Sequence, residues 1–214
     1  MAPSTPTPDP DAVVGIVLAA GAGRRMGGPK ALIGPLATDG RTPLARVCFW
    51  VHEAGCSRVI AVIGAEADAV RAALAADPAG PASWLTVVEA SDWADGMGAS
   101  LRAGLGAARL TPAASALITL VDLPDVRTPV YRRILSLSPS PDALARASYL
   151  GHPGHPVIIG RDHWDAAASA AVGDQGARTL FATTPHRLVA CADLASGVDA
   201  DAPPDPSGDS PIPA

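Results

Sequence analysis

The sequence predicts an α/β fold with a mostly parallel central sheet covered by helices on both faces. Three observations carry that expectation. Short β-branched runs alternate with amphipathic helical segments from residue 13 to about residue 190. Such alternation is the pattern of parallel strands joined by helical crossovers. No Pro- or Gly-rich linker divides the interior, and 214 residues suit one domain with a real core. Finally, the glycine-rich, cationic and acidic stretches fall just after predicted strands, where open parallel sheets collect their ligands.

The elements follow in order. Residues 13–18 are β-branched and apolar enough for a buried strand. The next helix has Thr42 as cap, Pro43 in its first turn and Gly55 as its stop, with Leu44, Val47, Cys48 and Val51 on one face. A strand at 59–63 precedes a helix carrying Ala67, Val70 and Leu74 on one side. Residues 85–88 form a strand, and the helix after it aligns Leu101, Leu105 and Ala108. Residues 116–121 are the next strand, followed by a helix from about residue 129. Strands are expected at 146–150, 157–159 and 187–190, and helices at 164–171 and 175–182. This is a single Rossmann-like, three-layer domain over residues 12–202. The Pro-, Ser- and Asp-rich ends at 1–11 and 203–214 are too polar to pack and are expected to be disordered.

Bulk properties narrow the function. A net charge of -5 argues against a nucleic-acid binder, which would need a basic face. Any anionic ligand must therefore meet a local cluster of cations. The odd count of three cysteines, Cys48, Cys56 and Cys191, with no Cys-x-x-Cys pair, fits a reduced, cytoplasmic setting. Neither a signal peptide nor a bilayer-spanning run is expected.

The stretch VVGIVLAAGAGRRMGGPK, residues 13–30, carries the strongest signal. It is not a dinucleotide fingerprint, because Met26 stands where the third glycine belongs. Nor is it a P-loop, because Gly28 is followed by Pro29, Lys30 and Ala31. What remains is a run of small residues that lets the backbone turn its N–H groups onto an anion. Arg25 would grip phosphate oxygens through its fork of donors, and Lys30 would act as a point charge. The same composition also suits a flexible glycine loop with solvated arginines.

The run from Leu18 to Gly27, followed by Lys30, resembles the signature loop of the MobA-like nucleotidyltransferases. That resemblance implies a nucleotidyltransferase-type version of the fold. It also implies transfer of a nucleoside monophosphate from an NTP to a phosphorylated acceptor, with release of pyrophosphate. It assigns Leu18, Ala19, Ala20, Gly21, Gly23, Arg25 and Lys30 to the nucleotide.

Asp122 ends a buried strand and precedes Leu123-Pro124. By itself it is either a turn cap or a ligand for a hard cation such as Mg²⁺. The family's Asp-x-Pro strand end matches Asp122 and Pro124 and implies the metal role. A second acid is implied by SGVDADAPPD, with Asp201 preferred and Asp199 in reserve, although Ala202 departs from the family's Thr. A solvated acidic tail is the alternative for that segment. Gly96 and Ser100 open a helix whose free N–H groups suit a ligand, or Ser100 simply caps it. The family's Gly-Met-x-x-Ser-Leu motif places both in the nucleotide site, while Ala90 stands where many relatives have Asn. Trp93 is expected to pack rather than to stack on a base.

GHPGHPVIIGRDHW and GDQGARTL resemble the molybdenum cofactor cytidylyltransferase subgroup. GHPGHP reads as a turn-rich loop, and the resemblance implies His155 and Arg178 as acceptor-binding residues. Zinc is not expected, since the histidines have no third ligand nearby. The implied reaction is attack of a molybdopterin phosphate oxygen on the α-phosphorus of CTP. Arg25, Lys30 and Asp122 would be its catalytic residues, Mg²⁺ its cofactor, and a recipient molybdoenzyme a transient partner. Alternatives are a guanylyltransferase using GTP, transfer to another phosphorylated metabolite, and a non-catalytic carrier of the molybdenum cofactor.

Overall fold

The computed structural model describes residues 12–33, 40–77, 82–137 and 140–200. Both ends expected to be disordered lie outside these residues, as does Asp201. Among the described residues seven strands form one sheet: β1 (Val13–Leu18), β2 (Arg58–Ile63), β3 (Leu85–Glu89), β4 (Ser115–Leu120), β5 (Leu144–Tyr149), β6 (His152–Gly160) and β7 (Arg187–Ala190). Their spatial order is β3-β2-β1-β4-β6-β5-β7. All neighbours pair in parallel except β6, which runs antiparallel to both β4 and β5. The mostly parallel three-layer architecture is therefore as expected.

Every residue of β1 is buried, as a strand covered on both faces requires. Its side chains alternate between two cores. Val13 and Val17 pack with α1 (Pro43–Glu53), α2 (Ala67–Ala75) and α4 (Thr128–Leu135). Val14, Ile16 and Leu18 pack with α3 (Met97–Ala108), α5 (Trp164–Ala170) and α6 (Arg178–Thr183). Each such side chain contributes roughly 1.5–3 kcal/mol through burial. The cap of α1 forms as the sequence suggests, with Thr42 Oγ1 accepting from Ala45 N at 3.2 Å.

Two elements differ from the sequence expectation. GHPGHP is not a loop: β6 already begins at His152. The turn is the preceding pair Leu150-Gly151, both at positive φ (50° and 86°), which suits a two-residue hairpin. Pro153 is tolerated because β6 pairs there with β5 alone; its pairing with β4 starts only at Val157. The last helix starts at Arg178 rather than 175, because residues 173–175 form a 3₁₀ turn and Gly176 sits at φ 51°.

Candidate active site

Chain order reverses across the sheet at β1. β2 and β3 lie on one side of it and β4 on the other, so the loops leaving β1 and β4 flank one crevice. Leu18 pairs with Leu120, and Val121 N donates to Leu18 O at 3.2 Å. The glycine loop and Asp122 are thus delivered to the same edge by strand register. A cleft of about 430 Å³ opens there, lined by residues 18–24, Lys30, Trp93, Ala94, Gly96, Met97, Ser100, 120–122 and Asp174.

The loop is shaped by its backbone. Met26 N and Gly28 N both donate to Gly23 O, at 2.8 and 3.3 Å. Gly23 sits at φ 55°, and a Cβ there would lie 2.0 Å from Gly28 O. Only glycine meets both conditions. Residues 24–26 then form a 3₁₀ turn that buries Met26 and divides the two arginines. Arg24 is among the residues lining the cleft, whereas the exposed Arg25 is not.

Lys30 and Asp122 meet. Lys30 Nζ donates to Asp122 Oδ2 at 2.8 Å, with both side chains about one-fifth exposed (21% and 18%). Asp122 Oδ1 is buried and has no hydrogen-bond partner. An orphaned carboxylate oxygen on a residue that lines the cleft is chemically a suitable donor for a hard divalent cation. Among the described residues no group of three His, Cys, Asp or Glu side chains gathers to hold a metal. The C-terminal segment does return to this edge, where Ala200 N donates to the Asp122 carbonyl at 2.8 Å. The preferred second acid, Asp201, follows immediately but lies outside the described residues. Asp199 is exposed and lines a neighbouring depression with Tyr149 and His152.

At the start of α3, Gly96 rather than Ser100 is the capping residue. Ser100 is the fourth residue of the helix, buried, and lines the cleft. Gly96 is at φ 107°, and a Cβ there would meet Gly173 and the Asp174 carboxylate at 2.6 Å. This close approach docks the 173–176 turn on the helix, with Met97 N donating to Asp174 Oδ1 at 3.4 Å. Trp93 packs over Gly64 and Ala20 while also lining the cleft.

Sequence reasoning missed Arg24, Trp93 and Asp174. Which of two adjacent arginines faces the cleft depends on the 3₁₀ turn. The Asp174 contact spans 77 residues and has no local signal.

His155 lies on β6, half-buried, and Arg178 opens α6. Neither lines the nucleotide-sized cleft. Burial, reinforced by the Arg146 charge, pushes the His155 imidazole down to about 4. The Tyr149 hydroxyl donates to the His155 carbonyl at 2.7 Å, and the His155–Pro156 peptide is cis.

The model of the MobA-like NTP transferase domain matches residues 15–189. The chain belongs to that family. As a MobA-like chain, it is 37% identical to nicotine blue oxidoreductase of Paenarthrobacter nicotinovorans, over 88% of this chain and 92% of that protein. It is 29% identical to the molybdenum cofactor guanylyltransferase of Rhodobacter capsulatus, over 91% and 87%. Among solved structures, the MobA-like fold matches Rv0371c from Mycobacterium tuberculosis H37Rv with a TM-score of 0.70 and 30% identity, over 89% and 93%. A complex of Rv0371c with manganese matches with a TM-score of 0.63, over 84% and 88%. No helix among the described residues is long and apolar enough to cross a membrane.

Proposed function

We propose that this protein transfers CMP from CTP to the phosphate of a molybdopterin-type cofactor and releases pyrophosphate. The observation that carries this reading is the meeting of the glycine loop, Lys30 and Asp122 at one cleft between β1 and β4. Leu18, Ala19, Ala20, Gly21 and Gly23 would receive the base edge and phosphates, with Gly96 and Ser100 along the opposite wall. Asp122, with Asp201, would hold Mg²⁺, which when bound supplies charge neutralisation at the triphosphate. Lys30, with Arg24 and Arg25, would stabilise the departing pyrophosphate. His155 and Arg178 would contact the acceptor, whose phosphate oxygen forms the new bond to the α-phosphorus as the bond to the β-phosphate oxygen breaks. The protein's contribution is positioning and electrostatics. The three cysteines are free and buried, which suits a reducing cytoplasm.

The test supplies CTP, GTP and ATP separately with Mg²⁺ and molybdopterin and measures pyrophosphate. Release with CTP supports the reading. Release with GTP alone moves it to the guanylyl reaction, and release with none overturns it. A non-catalytic carrier would bind the pterin without Mg²⁺-dependent CTP binding, a difference that calorimetry reads directly.

A second reading, an oxidoreductase, is favoured by the likeness to nicotine blue oxidoreductase. The loop lacks the dinucleotide glycine spacing, which weighs against it. Oxidation of a reduced nicotinamide dinucleotide in the presence of an aromatic acceptor, without pyrophosphate from any NTP, would decide for this reading.

A further inference from the structure

A separate groove of about 580 Å³ lies over β3, two strands from β1 at the edge of the sheet. Among the described residues it shares none of its lining with the Lys30–Asp122 cleft. Its volume falls in the range of small-molecule sites. Its apolar surface comes from Phe49 of α1, Leu74 of α2, and Trp84, Leu85 and Val87 at β3. Leu74 is buried, but the other four remain half-buried, so large apolar groups are left partly in water. Both aromatic rings are already held in place. His52 stacks on the Trp84 indole, with ring centroids 4.3 Å apart and planes 8° from parallel. The imidazole is itself fixed by its Nδ1, which donates to Cys56 O at 2.9 Å. The Arg41 guanidinium stands 4.5 Å from the centre of the Phe49 ring. Walls fixed before binding reduce the ordering cost when a flat ligand enters.

Three charged side chains also line the groove: Arg41, Arg71 and Asp77. Arg41 Nε lies 3.7 Å from Asp77 Oδ1, so these two charges largely offset each other. Arg71 pairs with Glu89 at 3.1 Å, and both side chains are close to half exposed (43% and 47%). So exposed a pair holds its partners weakly. Glu89 is not among the lining residues, which leaves the groove one surplus positive charge in a chain whose net charge is -5. We propose that the groove binds a small planar aromatic monoanion, with its ring against Phe49 and Trp84 and its carboxylate on Arg71. The Arg71 fork can take a carboxylate through two parallel hydrogen bonds, and exchanging Glu89 for it costs little. A neutral ring of the same shape gains the apolar contact without the charge-assisted bonds, a loss of about tenfold in affinity. The site stands whether or not the protein transfers nucleotides.

The test titrates the full chain with β-naphthoate and, separately, with its neutral amide, by calorimetry with and without CTP and Mg²⁺. The naphthoate is expected to bind about tenfold more tightly than the amide. Arg71→Gln should bring the naphthoate down to the affinity of the amide and leave the amide unaffected. Ala75→Trp, at an exposed position that lines the groove, should exclude both ligands with the circular dichroism spectrum unchanged. Saturating CTP and Mg²⁺ should leave the naphthoate affinity as it was. No naphthoate binding at about millimolar concentration overturns the proposal. Equal affinity of the wild type for acid and amide overturns the anion assignment. Equal naphthoate affinity in the wild type and both variants, or displacement by CTP, overturns the location. Whether the protein releases pyrophosphate has no bearing on any of these outcomes, so failure of the transferase reading and failure of this one are separate results.

Discussion

Lys30 and Asp122, 92 residues apart in the chain, form a 2.8 Å ion pair across the mouth of the β1–β4 crevice. The pair joins the cation expected to meet phosphate to the acid expected to meet a metal. Only one Asp122 oxygen is used, and the other is buried without a partner. The ion pair thus leaves half of the carboxylate uncommitted.

Asp122→Asn keeps the shape and removes the charge. Turnover should fall by about tenfold or more, a loss of ~1.4 kcal/mol or greater in transition-state stabilisation, with the circular dichroism spectrum unchanged. Lys30→Ala should do the same. Normal rates in both variants would remove the crevice from the mechanism.

Adding a chelator should abolish pyrophosphate release, and either Mg²⁺ or Mn²⁺ should restore it, since both accept carboxylate and phosphate oxygens. Asp122→Asn should need more of either metal for half-maximal recovery. A rate indifferent to the chelator contradicts a metal at Asp122.

The two loop arginines should separate in calorimetry. Both Arg24→Ala and Arg25→Ala should slow turnover by about tenfold through lost charge at the pyrophosphate. Arg24 lines the cleft, so its variant should weaken CTP binding more. The reverse order would reassign the side of the turn that faces the nucleotide.

Gly23→Ala tests the backbone cradle. Its Cβ would collide with Gly28 O at 2.0 Å, and its φ of 55° disfavours any side chain. The loop must then open, at a cost of about 1–3 kcal/mol in stability. CTP binding should be lost while the sheet persists, so nucleotide-induced stabilisation in thermal melts should vanish. Retained stabilisation would show that the turn is not the phosphate cradle.

His155 should leave a signature in acid. Its pKa is held down at about 4, against a usual 6.5, by burial and by Arg146. On acidification the unfolded chain therefore takes up the proton first. Stability is fully present above about 6.5 and is lost as pH falls from there towards 4. His155→Gln should flatten that limb in urea titrations, and an unaltered limb would mean that His155 is charged in the native state.

Local rules made much of the molecule legible. The β-branched run at 13–18, the Thr42-Pro43 start of α1 and the acid closing β4 all depend on neighbours within a few residues. Burial on both faces and short-range capping express those choices directly in the sequence. β6 was harder to read because its prolines and glycines look like a turn, and only its position beyond the end of β4 makes them acceptable in a strand. Arg24 and Asp174 depended on orientation and on a distant docking contact.

The chain by itself determined the alternation of elements, the glycine loop after β1, and the acid after β4, because periodicity and turn chemistry are local properties. The tertiary structure decided which side chains share a cleft: Lys30 with Asp122, and Asp174 with the start of α3. Strand order and helix docking bring these groups together, and no short window of sequence carries a contact between residues tens of positions apart.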